Sequence, residues 1–125
     1  CYKSFVKKKT RGEAKQRCAA DGGMLAMPKD SATNTFLANL AEVGWGRWLG
    51  LTDTNSDRQW EFEDGQPLSS SEYSNWLPDE PTPDNGQGGC VGFWADGSSW
   101  DEKDCSALRG FICQINEGMC LDNPF

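Results

Sequence analysis

The chain has no histidine. That absence removes Ser–His and Cys–His nucleophiles and leaves carboxylates as the only general bases. Zinc is left with carboxylates alone if the cysteines are paired. No Cys-x-x-Cys pair occurs, so neither a zinc ribbon nor a thioredoxin-type redox site is supported. No apolar run is long enough to cross a bilayer, so membrane insertion by this segment is not expected. There is no internal repeat and no low-complexity segment. The first residue is Cys1, without a methionine or signal peptide, and the sequence reads as a processed or trimmed piece.

What is present points to a small, loop-rich, oxidised domain. The 125 residues have the size of one domain spanning 1–125, and six Trp and six Phe supply much of a core. Fourteen glycines and six prolines argue for extensive loops, while the spread of aromatics along the chain argues against disorder. Six cysteines, an even count in a small acidic chain, favour disulfides over metal ligation and a secreted or extracellular setting. The count alone fixes no pairing.

The formal charge of −7 hides an asymmetry: residues 1–17 carry +6 and the remainder −13. Nucleic-acid binding by the basic end is not expected, because the acidic body opposes it and no aromatic platform is interleaved. A solvated basic helix face is the simpler reading. From 79 to 104 the chain holds Asp79, Glu80, Asp84, Asp96, Asp101, Glu102 and Asp104 against Lys103 alone. Repulsion on that scale is either solvated or neutralised by a cation.

Local signals outline an α+β chain. "YKSFVKK" reads as an early strand, and Thr10 with Glu13 forms a capping box ahead of a helix. That helix runs to about Ala20 and stops at Gly22-Gly23, with Ala14 and Cys18 on one face. A second helix starts near Asp30-Ser31 and buries Phe36, Leu37, Leu40 and Val43. "RWLGLTD" reads as a buried strand, and "QWEFEDG" alternates Trp60 and Phe62 with acids before a turn. No sustained periodicity follows from Gln66 to Gly89, a length that in a compact domain is usually functional. "CVGFW", "SSWDE" and "GFICQI" read as three final strands.

In this order "WLGL" at 48–51, "YSNW" at 73–76, the Glu-Pro-x segment at 80–82, Cys90, "WDE" at 100–102, Cys105 and "GFIC" at 110–113 resemble the C-type lectin-like domain. The resemblance covers nearly the whole chain. It implies two helices with antiparallel sheets, a long disulfide-anchored ligand loop, and the pairs Cys18–Cys113 and Cys90–Cys105. Cys1 and Cys120 remain, and they pair with each other or Cys1 pairs with a cysteine upstream.

The resemblance also gives the acids a purpose. In sugar-binding members calcium sits in the long loop, held by side-chain oxygens, and two neighbouring sugar hydroxyls complete its shell. Calcium takes six to eight hard oxygen donors, which suits carboxylates and hydroxyls. Glu80, Thr82, Asp101 and Glu102 are thereby the implied metal ligands and sugar contacts. Thr82 stands where asparagine is usual, Asp101 and Glu102 where Asn-Asp is usual, and Gly88 where a second glutamate is usual. For an auxiliary calcium, Asp53 and Asp57 match, whereas Pro83 and Gly89 replace acids. One calcium is therefore expected rather than two.

Trp48, Trp60, Trp76 and Trp100 match packing positions. Trp94 is placed to stack on a sugar, and Trp45 to mark a protein contact, though either residue equally suits a core. The resulting expectation is an extracellular, calcium-dependent lectin domain for microbial or self glycans, with homo-oligomers as a route to avidity. The alternative is a calcium-independent recognition domain of the same fold, receptor-like or ice-binding. A two-carboxylate glycosidase is the third class, and close acids alone do not support it.

Overall fold

The structure, a computed structural model, describes residues 1–40, 46–53, 59–68, 73–78, 89–94 and 98–115. Among these residues the order is β1 (Tyr2–Lys9), α1 (Arg11–Ala20), β2 (Gly23–Leu25), α2 (Ser31–Leu40), β3 (Arg47–Thr52), β4 (Glu61–Phe62), β5 (Cys90–Phe93), β6 (Trp100–Lys103) and β7 (Arg109–Ile115). No helix among them is long and apolar enough to cross a membrane.

The two helices begin where their caps dictate. Thr10 accepts from the Glu13 amide at 3.3 Å, and Glu13 accepts from the Thr10 amide at 3.0 Å. Two otherwise orphaned donors are thereby satisfied at one end. Asp30 accepts from the Thr33 amide at 2.7 Å and starts α2. Gly22, at φ 79°, makes the left-handed step out of α1. The chain then enters β2, a strand that the double glycine conceals from a pattern reading. Ala14 and Cys18 are buried on one face of α1.

The sheet runs β1-β7-β3-β5-β6, with β2 also on β7 and β4 also on β3. Its ladders are antiparallel except one: β3 lies parallel to β7, a mixed topology that antiparallel expectations did not include. The reason lies in connectivity, since a long excursion separates these strands and a hairpin cannot join them. Every residue of β3 is buried, as its central position requires.

The main core cluster gathers Leu37, Leu49, Leu51, Phe62, Val91, Phe93, Trp100 and Ile112, with Trp60 and Trp76 against it. The burial expected of Phe36 does not occur: it is 54% exposed. The inward face of α2 is set by Asn34 and Leu37, and Phe36 falls off it, leaning on the Tyr2 ring at 5.6 Å between centroids. Leu40 is partly buried against the core, and Val43 lies outside the described residues.

Candidate functional site

The candidate site grows from the β5–β6 hairpin, whose register pairs Phe93 with Trp100, Gly92 with Asp101, Val91 with Glu102 and Cys90 with Lys103. Side chains alternate between the faces of a strand. Phe93, Trp100 and Val91 therefore share the core face with the Cβ of Glu102. The other face carries Trp94, Asp101 and Lys103. Opposite Asp101, Gly92 brings no side chain.

Trp100 is fully buried, and every polar group it has is held. Its amide donates to Asn75 O at 2.8 Å, and its carbonyl accepts from the Leu77 amide at 3.0 Å. Its indole N–H donates to Asn34 Oδ1 at 2.8 Å. Asn34 donates in turn to Ser98 O at 3.1 Å, and Asn75 donates to the same carbonyl at 2.7 Å. The Trp76 ring meets Trp100 edge-on at 5.5 Å, and Tyr73 meets it edge-on at 6.0 Å. A helix and an extended segment thus clamp the residue immediately before Asp101. At the open end of the hairpin, the Cys90–Cys105 disulfide joins the strands beside Lys103. Asp101 is held from both directions.

On the solvent face three groups meet. Asp101 is 6% exposed and Trp94 is 40% exposed. Lys103 Nζ lies 2.6 Å from Asp101 Oδ2. The same ammonium stands 4.7 Å from the centre of the Trp94 ring, a cation–π distance. Asp101 Oδ2 is nevertheless buried without accepting a hydrogen bond. The lysine compensates its charge but approaches off the hydrogen-bonding direction.

The residues expected from sequence divide accordingly. Asp101 and Trp94 come together, and Glu102 leaves β6 on the opposite face. Glu80, Thr82, Gly88, Asp57, Pro83, Trp45 and Cys120 lie outside the described residues. Among the described residues no group of three or more acids or cysteines is arranged to hold a metal. A cation at Asp101 therefore needs protein donors from outside the described residues. Asp53 is buried, and a Cβ added at Gly89 would stand 2.8 Å from its Oδ1, so position 89 has no room for a side chain beside it.

Lys103 was missed as a site residue. Its signal was legible, because it is the one cation between 79 and 104 and lies two residues from Asp101 on a strand. Asp104, counted with the acids, is a turn residue: Oδ1 accepts from the Ser106 amide at 2.9 Å and hydroxyl at 2.7 Å. The backbone amide bond is the chief cause that lowers its pKa. Trp48, Trp60 and Trp100 are core, and Trp76 is partly buried against it. The second disulfide, Cys18–Cys113, ties α1 to β7.

The model of the lectin C-type domain family matches residues 7–115. Collectin-10 of Mus musculus is 36% identical over 116 residues, which cover 91% of this chain and 41% of that protein. The chain thus spans about two fifths of that relative's length. The solved cow C-type carbohydrate-recognition domain of CD23, studied in the presence of a GlcNAc2Man3 oligosaccharide, superposes with a TM-score of 0.81 at 32% identity. That match covers 93% of this chain and 88% of the cow domain. A calcium-independent type II antifreeze protein shares the fold, with a TM-score of 0.80 at 24% identity over 90% of this chain and 83% of its own.

Proposed function

Starting from a chain that belongs to the C-type lectin domain family, we propose an extracellular, carbohydrate-binding module whose glycan site is organised by one calcium ion. Proteins of this family are binding domains, and catalysis has no part in the reading. The observation that carries it is Asp101: a carboxylate oxygen, buried and without a hydrogen bond, beside an exposed tryptophan on a hairpin held at both ends. Burying that carboxylate calls for a compensating cation, which Lys103 supplies in the structure and a bound hard cation could supply in its place.

Glu80, Thr82 and Asp101 would hold the ion, and Glu102, which leaves β6 on the opposite face, would join them only by reaching around that edge strand. Bound calcium supplies coordination sites for two neighbouring hydroxyls of a sugar. The chain's own residues do the rest. Glu80 and Thr82 accept from or donate to those hydroxyls, and Trp94 offers an apolar ring to the flat face of the sugar. Trp100 and the Cys90–Cys105 bridge hold Asp101 still, so little ordering remains to oppose binding. Disulfides fit an oxidising, secreted setting, and clustering of copies would raise a weak single-site affinity.

The test is a glycan array read in calcium and in chelator, beside a calorimetric calcium titration. Binding is expected only with calcium, at dissociation constants of roughly 10⁻⁴–10⁻³ M for the ion. Glu80→Gln combined with Asp101→Asn is expected to abolish both. Glycan binding that survives chelation or the double substitution would overturn the calcium reading. The chain would then be a calcium-independent recognition domain.

A further inference from the structure

Lys103 has no place in a calcium cage, yet it occupies the charge that the cage would use. We propose that Lys103 is a tethered cation: it neutralises Asp101 when no calcium is bound, and calcium enters by displacing it. The proposal rests on the calcium reading above and adds to it a built-in competitor.

Three observations converge. First, the ammonium lies 2.6 Å from Asp101 Oδ2, with the carboxylate side chain only 8% exposed and the lysine side chain 26% exposed. Contact at that distance and depth is screened less than a surface pair. Secondly, the ammonium is also over the Trp94 ring at 4.7 Å. The lysine thus covers the ring face that a sugar would use, and its departure from Asp101 would uncover that face. Thirdly, Asp101 sits between the clamped Trp100 and the Cys90–Cys105 bridge, so the lysine, its side chain 26% exposed, is the partner with room to move.

The arrangement follows from strand geometry. Asp101 and Lys103 are two apart on β6 and share a face, and Gly92 opposite brings no side chain. Both states of the site then keep the Asp101 carboxylate compensated by a cation. Without calcium, Lys103 prevents a bare carboxylate from being buried. With calcium, the lysine is repelled toward solvent and the Trp94 ring face it covered becomes free for a sugar. Ion and glycan binding are thereby coupled through one side chain, and coupling between two sites is reciprocal. Sugar stacked on Trp94 would exclude the lysine and tighten calcium.

Calcium titrations and melting curves, in calcium and in chelator, would be compared for the wild type, Lys103→Met and Lys103→Arg. Methionine keeps the apolar stem and loses the charge, whereas arginine keeps the charge. Lys103→Met is expected to bind calcium about tenfold more tightly, within the usual range of coupling between sites. It should also melt below the wild type in chelator and recover in calcium. Lys103→Arg should bind calcium no more tightly than the wild type. A wild type silent toward calcium beside a Lys103→Met that binds it would support the proposal in its strongest form.

Equal affinities in the wild type and Lys103→Met would overturn the proposal and leave the calcium reading standing. Absence of binding in every variant would overturn both. A further measurement does not need the methionine variant to fold. Calcium should change tryptophan emission in the wild type, because the ammonium leaves the Trp94 ring, and Trp94→Phe should lose that part of the change. Identical calcium responses in those two proteins would also overturn the exchange.

Discussion

The β1 and β6 ends of the sheet balance charge in opposite ways. At the β1 end the basic residues find acids from other elements. Arg17 lies 2.7 Å and Lys3 4.0 Å from Asp21, while Arg11 and Lys15 approach Glu63 at 3.8 and 4.0 Å. Glu63 also accepts from the Leu25 amide at 2.6 Å, so one carboxylate joins α1, β2 and the turn after β4. Burial outweighs Glu63 at Arg11, whose guanidinium has its pKa lowered by desolvation. At the β6 end, seven acids between 79 and 104 have one lysine among them. Among the described residues Lys3, Arg11, Lys15 and Arg17 thus meet acids at the first end. The second end is anionic in excess, and Lys103 is the one cation in its 79–104 segment.

The two disulfides between described residues offer the sharpest way to test whether the ends also differ in constraint. Cys18–Cys113 spans 95 residues and Cys90–Cys105 spans 15. Loop-closure entropy predicts about 4.7 kcal/mol for a loop of roughly a hundred residues and about 3 kcal/mol for one of fifteen. Replacing Cys18 and Cys113 together by alanine is therefore expected to lower urea stability by more than replacing Cys90 and Cys105. Glycan binding should respond in the reverse order, since the shorter bridge pins the hairpin that carries Asp101. A larger stability loss from the shorter bridge would break the comparison.

A smaller effect connects the two ends. Asn34 on α2 is 3% exposed and accepts the indole proton of Trp100 at 2.8 Å. Asn34→Ala strands that buried donor, at a cost of about 1–3 kcal/mol. Asn75→Ala should cost less, because Ser98 O keeps its bond from Asn34. The check is thermal melting followed through near-ultraviolet dichroism, where Trp100 contributes. An Asn34→Ala protein as stable as the wild type would show that β6 is placed without the helix.

How much was legible in the sequence tracks these two ends. Thr10, Glu13 and Asp30 announce both helices, because a cap is a local event that needs only neighbouring residues. "RWLGLTD" announces β3 because a strand buried on both faces is an apolar run. β2 was hidden, since three residues that begin at the second glycine of the pair carry no periodicity and owe their form to β7. Phe36 was misplaced because helical spacing does not say which neighbours wait on each face. Nor does the order of residues reveal that β3 joins β7 in parallel. At the candidate site the motif pointed to Asp101, and Lys103 stood out as the one cation between 79 and 104, but that the two meet was not legible. The role of Lys103 depends on a hairpin register, and a register is a tertiary fact.

The smallest expected effect concerns acid. Glu13, Asp30 and Asp104 are exposed carboxylates whose pKa values are lowered chiefly by hydrogen bonds from backbone amides, at Thr10, Thr33 and Ser106. A group with a depressed folded-state pKa stabilises the fold above its ordinary carboxylate value. That contribution is lost as the pH falls through the lowered value, when protonation removes the acceptor. Stability should therefore hold from neutral pH down to the ordinary carboxylate range and decline below it. Glu13→Gln should make the decline shallower by removing one titrating cap at the β1 end, and Asp104→Asn should do the same at the β6 end. The comparison sharpens if calcium protects only one of them. Calcium added at low pH should leave the Glu13 contribution untouched, since the α1 cap lies on another element. At the hairpin it should add stability that Asp101→Asn loses, because a ligand bound by the folded chain stabilises it. Equal calcium protection in Glu13→Gln, Asp104→Asn and Asp101→Asn would mean that the ion binds elsewhere.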